Sequence, residues 1–306
     1  MSHDLTKKRP VRPSAVVGIV VWSLVFCLLG GLLLAGLWGA EINLRFFELP
    51  GGVHLNLGGF TYEDAGEYSV GDASVKAAVT ELEINWLEGD VTVIPSETDQ
   101  ISVSENYNGE DDDLRLRWRV EDGKLTVQYR KSTWLGTSRS VRKDLTVAIP
   151  AAMLEAMDEV EITTVSGGVS YTGNADELTL DAVAGDFTVN GDIGELEMHA
   201  VQGKITFTGS VRTAEVECVD TAVTMNLHMA ASLSFDQVDG DVELYLSDEI
   251  KGFSAEVEAL GGEITADGFD GMKNMNDENA RWGDGSLRVR VEGVGAKLNI
   301  KKLTND

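Results

Sequence analysis

The 306-residue chain carries 51 acidic and 25 basic residues, which gives a formal net charge of −26. A surface of this kind repels the phosphate backbone, so the composition excludes nucleic-acid binding. The only two cysteines, Cys27 and Cys218, lie far apart in the chain, which excludes a disulfide framework and a cysteine metal site.

The first predicted element is a membrane anchor. Ala15 to Ala40 contains no charged residue over 26 positions, whereas a helix needs roughly 20 apolar residues to cross a bilayer. Its flanks lack the small-x-small site that a cleaved signal peptide would carry. The segment before it, residues 1–14, is basic and is predicted to stay in the cytoplasm. The sequence therefore predicts a single-pass span at 15–40, a linker at 41–65 and an extracytoplasmic C-terminal part.

A repeat dominates the second half of the chain. Apolar residues recur with internal steps of 2, 3, 4 and 2, in copies that begin at residues 160, 178, 196, 214, 233, 255 and 289. A step of two is the strand period, and the odd step of three indicates a corner. Residues 151–303 are therefore predicted to form an all-β solenoid of about 18 residues per coil, because no single unit can bury its apolar face alone. A β-sandwich would also give many short strands, but it does not require one spacing in seven copies.

Two finer expectations follow from the repeat. Residues 66–150 are less regular and are predicted to form an N-terminal β cap with irregular coils. The side chains expected to point into the core include Val183, Phe187, Leu180, Leu196, Ile205 and Val223.

Three stretches resemble a known family of bacterial envelope proteins. They are YSVGDAS from Tyr68 with LEINWLEGDVTV from Leu82, KDLTVAIP from Lys143, and the recurring Val-x-Gly-x-Val pattern seen at Val165–Val169. Over about residues 65 to 302 the chain resembles the adhesin-type β-strand-repeat family, a domain family of unknown function, in its clostridial and bacillar members. The resemblance implies a β-solenoid outside a membrane anchor, no established activity and a link to envelope stress. It implies no catalytic residues.

The sequence carries no recognisable motif for catalysis, metal binding or cofactor binding. None of the four histidines has a second histidine or a cysteine at metal-ligand spacing, and His199 is predicted to point outward. Acidic residues such as Asp181 and Asp236 alternate with apolar ones, as on any solvated strand face. A polysaccharide-cleaving enzyme would use two such carboxylates about 5 to 10 Å apart, but nothing marks one pair. The sequence predicts neither an enzyme nor a cofactor, and it leaves divalent-cation binding by the acidic faces open.

One basic segment interrupts the acidic surface. The name "basic island" is used here for Arg115 to Lys143, and its predicted contact residues are Arg115, Arg117, Arg119, Lys124, Arg130, Lys131 and Trp134. It could contact an anionic wall polymer, lipid headgroups or an acidic partner. Alternatively, it could pack on the acidic solenoid and pair with its carboxylates.

The function predicted from these features is a membrane-anchored binding or scaffold module of the bacterial cell envelope, linked to envelope stress. Its expected partners are the bilayer, through residues 15–40, and an envelope polymer or another envelope protein. Two alternatives stay open at this point. One is a carbohydrate-active β-helix enzyme acting on envelope polysaccharide, and the other is a self-assembling solenoid.

Overall fold

The computed structural model describes residues 45–49, 53–56, 59–133, 141–238, 240–273, 276 and 278–303. Within these residues, no helix has both the length and the apolar character needed to cross a bilayer. The predicted tail (1–14) and span (15–40), together with Trp134 of the basic island, lie outside the described residues.

The described chain is almost entirely β-structure. Strands β1 (Arg45–Leu49), β2 (Val53–Asn56) and β3 (Gly59–Thr61) form a small antiparallel sheet of their own. The remaining strands are β4 (Ser69–Val70), β5 (Ala73–Val75), β6 (Glu81–Glu88), β7 (Val91–Ser96), β8 (Ile101–Glu105), β9 (Arg117–Glu121), β10 (Lys124–Gln128), β11 (Leu145–Pro150), β12 (Met157–Ser166), β13 (Val169–Thr172), β14 (Ala175–Ala184), β15 (Phe187–Asn190), β16 (Ile193–Val238), β17 (Asp241–Leu246), β18 (Gly252–Leu260), β19 (Glu263–Asp267), β20 (Asn279–Gly283), β21 (Leu287–Val294) and β22 (Lys297–Lys302). A 3-10 turn (Ala65–Glu67) and the short helix α1 (Ala151–Leu154) complete the described elements.

The central strands stack as parallel coils in the register that the repeat predicts. Val160 in β12 pairs with Leu178 in β14, which in turn pairs with Leu196 in β16. The second strand of each coil follows the same register, as in the pairing of Val169 with Phe187. The 18-residue period is therefore confirmed for these coils, and the arrangement is solenoid-like: each coil supplies one strand to each of two rows.

The order of the coils along the stack differs from their order in the chain. β10 pairs with β6, and β11 pairs with β7. On its other side β6 pairs with β12, so the coil formed by residues 81–96 lies between the coil of β10 and β11 and the coil of β12. At the other end, Val289 of β21 pairs with both Leu233 and Ala255. The C-terminal coil is thus inserted between the two coils that precede it in sequence. Antiparallel strands then close the ends, with β4, β5, β8 and β9 at one end and β20 at the other.

The sequence predicts that Val183, at a corner, points into the core, and this prediction is wrong. Phe187, Leu180, Leu196, Ile205 and Val223 are buried as expected, but Val183 is 46% exposed. The strand alternation continues for one more residue, so the small Ala182 points inward and Val183 points outward. Equivalent residues Val201, Leu260 and Val294 are also exposed.

At one corner the equivalent side chain does point into the core as predicted, and the backbone conformation explains the difference. Val238 is fully buried at this position, immediately after Gln237, whose φ is 62°. The pairing of β16 with β21 shifts register between Phe235 and Val238. A bulge of this kind adds one residue to the strand and returns the next side chain to the core.

Glycines at the first corner let successive coils approach closely. A Cβ on Gly185 would lie 1.9 Å from the carbonyl oxygen of Gly167, and a Cβ on Gly203 would lie 1.9 Å from that of Gly185. No side chain fits at such a distance, so the glycines just past the predicted corner are required by the stacking of the coils.

Candidate functional site

The deepest member of the basic island is Lys143. Its side chain is 1% exposed, and its Nζ donates to Glu105 Oε2 at 2.5 Å, to the Leu114 carbonyl at 2.6 Å and to the Tyr129 carbonyl at 2.5 Å. The ammonium also lies 5.0 Å from the ring centre of Trp86. Burial disfavours the charged form, so the pKa of Lys143 falls to about 8 despite the opposing effect of Glu105. Lys143 therefore holds together three segments of the N-terminal cap, those of Glu105, Leu114 and Tyr129.

Two predicted contact residues, Arg117 and Arg130, are also buried, each only 5% exposed. Arg117 Nη2 donates to the Asp112 carbonyl at 2.8 Å. Arg117 Nη1 and Arg130 Nε have no hydrogen-bond partner within the described part of the chain. Burial lowers the pKa of Arg130. Neither side chain presents its charge to solvent in this structure, so neither is placed to meet an external partner directly.

The other basic side chains that the structure describes in the basic island lie nearer the surface, and each contacts a carboxylate. The pairs are Arg115 with Asp112 (3.4 Å), Arg119 with Glu67 (2.7 Å), Lys124 with Glu83 (2.7 Å), Lys131 with Asp113 (2.9 Å) and Arg142 with Asp90 (3.2 Å). Lys131 and Arg142 are the most open of these cations, with 51% and 56% of their side chains exposed. The basic island thus divides into a buried part and an exposed part.

A second group of ionisable residues lines the outer face of the first row of strands. His199 pairs in register with Asp181, and its Nδ1 lies 2.6 Å from Asp181 Oδ1. That hydrogen bond raises the pKa of His199. The imidazole is 44% exposed, in agreement with the outward orientation predicted for it. The hydrogen bond to Asp181 fixes the orientation of the His199 ring. No nucleophilic side chain among the described residues is hydrogen-bonded to His199.

Further along this face, Glu215, Glu217 and Asp236 bring one oxygen each within 4.8 Å of one another. Burial raises the pKa of both Glu217 and Asp236, and neighbouring acidic groups raise it further. Carboxylate oxygens are donors that Ca²⁺ and Mg²⁺ accept. Exposed acidic groups often cluster without an ion, and no other observation on the described residues indicates a ligand here.

Glu161 is the member of this face with the clearest electrostatic consequence. Burial, followed by the charge of Glu83, raises its pKa from the ordinary 4.5 to about 7. The folded state therefore holds the proton more tightly than the unfolded state does. The resulting stabilisation is fully present below about pH 4.5 and is lost as the pH rises through about 7.

We expect Glu161→Gln to remove this pH dependence. The wild-type melting temperature should fall between pH 5 and pH 8 by more than that of the variant. In free energy of unfolding, this extra fall should be on the order of 1 kcal/mol, because solvent partly screens this half-buried group. Thermal melts at both pH values measure it, with Glu177→Gln, an exposed change on the next coil, as the control. Parallel pH profiles for wild type and Glu161→Gln would contradict the assignment.

Comparison with known proteins gives one family match and several solved structures of low similarity. Residues 79–224 match the Toastrack DUF4097 family. A "putative cell adhesion protein" from Clostridium sporogenes is 13% identical, with a TM-score of 0.31, covering 77% of this chain and 100% of its own. A "putative adhesin" from Bacteroides fragilis is 10% identical, with a TM-score of 0.42, covering 76% and 97%. No curated protein matches this chain.

Proposed function

From the premise that residues 79–224 form a domain of the Toastrack DUF4097 family, we propose that the chain is a binding or scaffold module of the bacterial cell envelope. In this proposal the span at 15–40 holds it at the membrane and the β-domain faces outward. The link to envelope stress that the sequence resemblance implies belongs to the same proposal. The family has no established activity, so the argument depends on the surface of this chain.

The observation that carries the proposal is the exposed part of the basic island. Lys131 and Arg142 pair with Asp113 and Asp90 in ion pairs that are about half exposed on both sides. Such pairs contribute only about 0–1 kcal/mol, so an anionic partner can replace the carboxylates at little cost. The buried Lys143 cannot exchange partners in this way, because its acceptors are enclosed with it.

The rest of the surface supports the same assignment. Acidic residues outnumber basic ones two to one in the chain, 51 to 25, so an anionic polymer is repelled over most of the domain. The exposed cations of the basic island are therefore one place where such a polymer can dock. Attraction of this kind is screened over about 8 Å at physiological ionic strength, which makes it sensitive to salt.

We expect Lys131→Gln/Arg142→Gln to weaken binding to wall fragments that carry anionic polymer by about 10-fold or more, given about 1 kcal/mol per surface cation. Co-sedimentation of the full chain in neutral nanodiscs measures the binding at low and high salt. The melting temperature should stay unchanged, because both pairs are exposed.

The matched control is Lys76→Gln/Lys251→Gln, which removes the same charge from exposed positions outside the basic island. It should leave binding unchanged. Equal losses in the two double variants would show that only total charge matters. Absence of binding by the wild-type chain would contradict the anionic-polymer contact and would favour a protein partner.

A further inference from the structure

A groove crosses the second corner of the stack, where each coil turns back toward the next. Its volume is about 640 Å³, and successive corners contribute its lining. The residues that matter here are Glu155, Asp158, Asp176, Asp192, Arg212 and Met229. We call it the corner groove. It lies on strands and corners that are separate from the basic island.

Two local features of the chain form the walls at the ends of the corner groove. At one end stands Glu155, directly after α1. At the other end, the copies that begin at 214 and 233 are 19 residues apart instead of 18, and the extra residue lengthens the corner at residues 228–231. Met229 projects from that longer corner and is 60% exposed. Between the two walls the corners are closely packed. A Cβ on Gly191 would lie 1.7 Å from the Gly173 carbonyl oxygen, so no side chain fits there.

The floor of the corner groove is aliphatic. Met157, Ala175, Ile193 and Val211 come from four successive coils and line it together. They are between 2% and 5% exposed, so they form part of the packed stack and hold the floor rigid. A floor of this composition favours aliphatic groups in a ligand. None of the lining residues is aromatic, so the stacking platform that sugar rings favour is missing from the lining.

The rim of the corner groove is acidic. Glu155, Asp158, Asp176 and Asp192 face a single basic residue, Arg212, which gives a net charge of −3. Asp192 Oδ1 already accepts the Ser210 amide at 2.9 Å. Asp158 and Asp176 are exposed, and their carboxylates form neither a hydrogen bond nor an ion pair with any described residue. Two carboxylates are therefore free to receive cations above an apolar floor.

We propose that the corner groove binds an extended polypeptide segment in which basic and aliphatic side chains alternate. The aliphatic side chains pack on the floor and against Met229, and the ammonium groups meet Asp158 and Asp176. The groove crosses five corners, which at about 4.8 Å per coil is about 19 Å. An extended segment of about six residues has that length. This site goes beyond the proposed anionic contact, since it has the opposite charge and takes a different partner.

The test uses the full chain in neutral nanodiscs and the hexapeptide Lys-Val-Lys-Val-Lys-Val, whose N-terminus carries an uncharged fluorescent dye, with fluorescence anisotropy as the readout. Asp158→Asn/Asp176→Asn should weaken binding by at least about 10-fold, as expected for two removed charge contacts. The control, Asp220→Asn/Asp241→Asn, removes the same charge from exposed positions on the first corner and should change binding by less than about 2-fold. Met229→Gln should also weaken binding, although it leaves the charge unchanged.

Three results would overturn the proposal. They are equal weakening by both double variants, no effect of Met229→Gln, and displacement of the peptide by spermine at the same concentration of positive charge. Each would mean that the acidic surface attracts cations without a shaped site. The basic-island variants should bind the peptide normally, so failure of one proposal leaves the other standing. Melting temperatures confirm that each variant is folded.

Discussion

Replacing Phe187 with alanine is expected to lower the free energy of unfolding by about 3–5 kcal/mol. The ring is fully buried, and its residue pairs in register with Val169 and with Ile205 in the coils on either side. Neighbouring coils cannot close the space that the ring leaves, because backbone hydrogen bonds fix their spacing. The loss therefore combines the lost transfer free energy with the cost of a cavity. Denaturant titration measures the change.

Two controls test the parity of the strand around Phe187. Thr188→Ala, on the opposite face, should cost no more than about 0.5 kcal/mol. Val183→Ala should cost far less than Phe187→Ala, because 46% of Val183 is exposed. If Val183→Ala were as damaging as Phe187→Ala, the corner geometry described above would be wrong.

Replacing Lys143 with methionine is expected to be equally damaging, at about 3–5 kcal/mol. Methionine fills a similar volume, but it leaves the Glu105 carboxylate, 2% exposed, without its cation. The carbonyl oxygens of Leu114 and Tyr129 lose their donor as well. An uncompensated buried charge is the main part of the penalty.

The double variant Lys143→Met/Glu105→Gln separates charge from packing. It removes both charges, so it should be clearly more stable than Lys143→Met alone, and the two changes should be strongly non-additive. Glu105→Gln keeps an acceptor for the Leu116 amide, which Glu105 Oε1 binds at 2.9 Å. Simple additivity would mean that Lys143 and Glu105 do not act as a pair. Chemical denaturation of the four proteins of the cycle measures this coupling.

The coil period and most of the core could be predicted from the sequence, because alternation and an 18-residue repeat depend on local strand geometry. The axial order of the coils could not. The copy beginning at 289 has the same spacing as the others, and nothing local to it indicates that β21 lies between β16 and β18. The exposure of Val183 was missed because a β-branched side chain fits a strand on either face.

The basic island shows a similar limit. Its charges were visible in the sequence, but the burial of Arg117 and Arg130 depends on tertiary packing and was not. The sequence did contain one signal for the buried ion pair between Lys143 and Glu105. Ile101, Val103 and Glu105 alternate along β8, so parity places the Glu105 carboxylate on the inward face, where it needs a buried cation. The wall of the corner groove was visible as the single 19-residue interval among 18-residue ones.

We propose that this β-domain works on the outer side of the membrane. A cysteine at the exposed position Gln202, in a Cys27→Ser background, tests it most directly. The remaining Cys218 is 2% exposed, and burial raises its pKa to about 12, so it should stay unreactive. We expect a membrane-impermeant maleimide to label Gln202→Cys in intact cells as fully as in lysed cells. Labelling that appears only after lysis would place the domain inside the cell and contradict the proposed function.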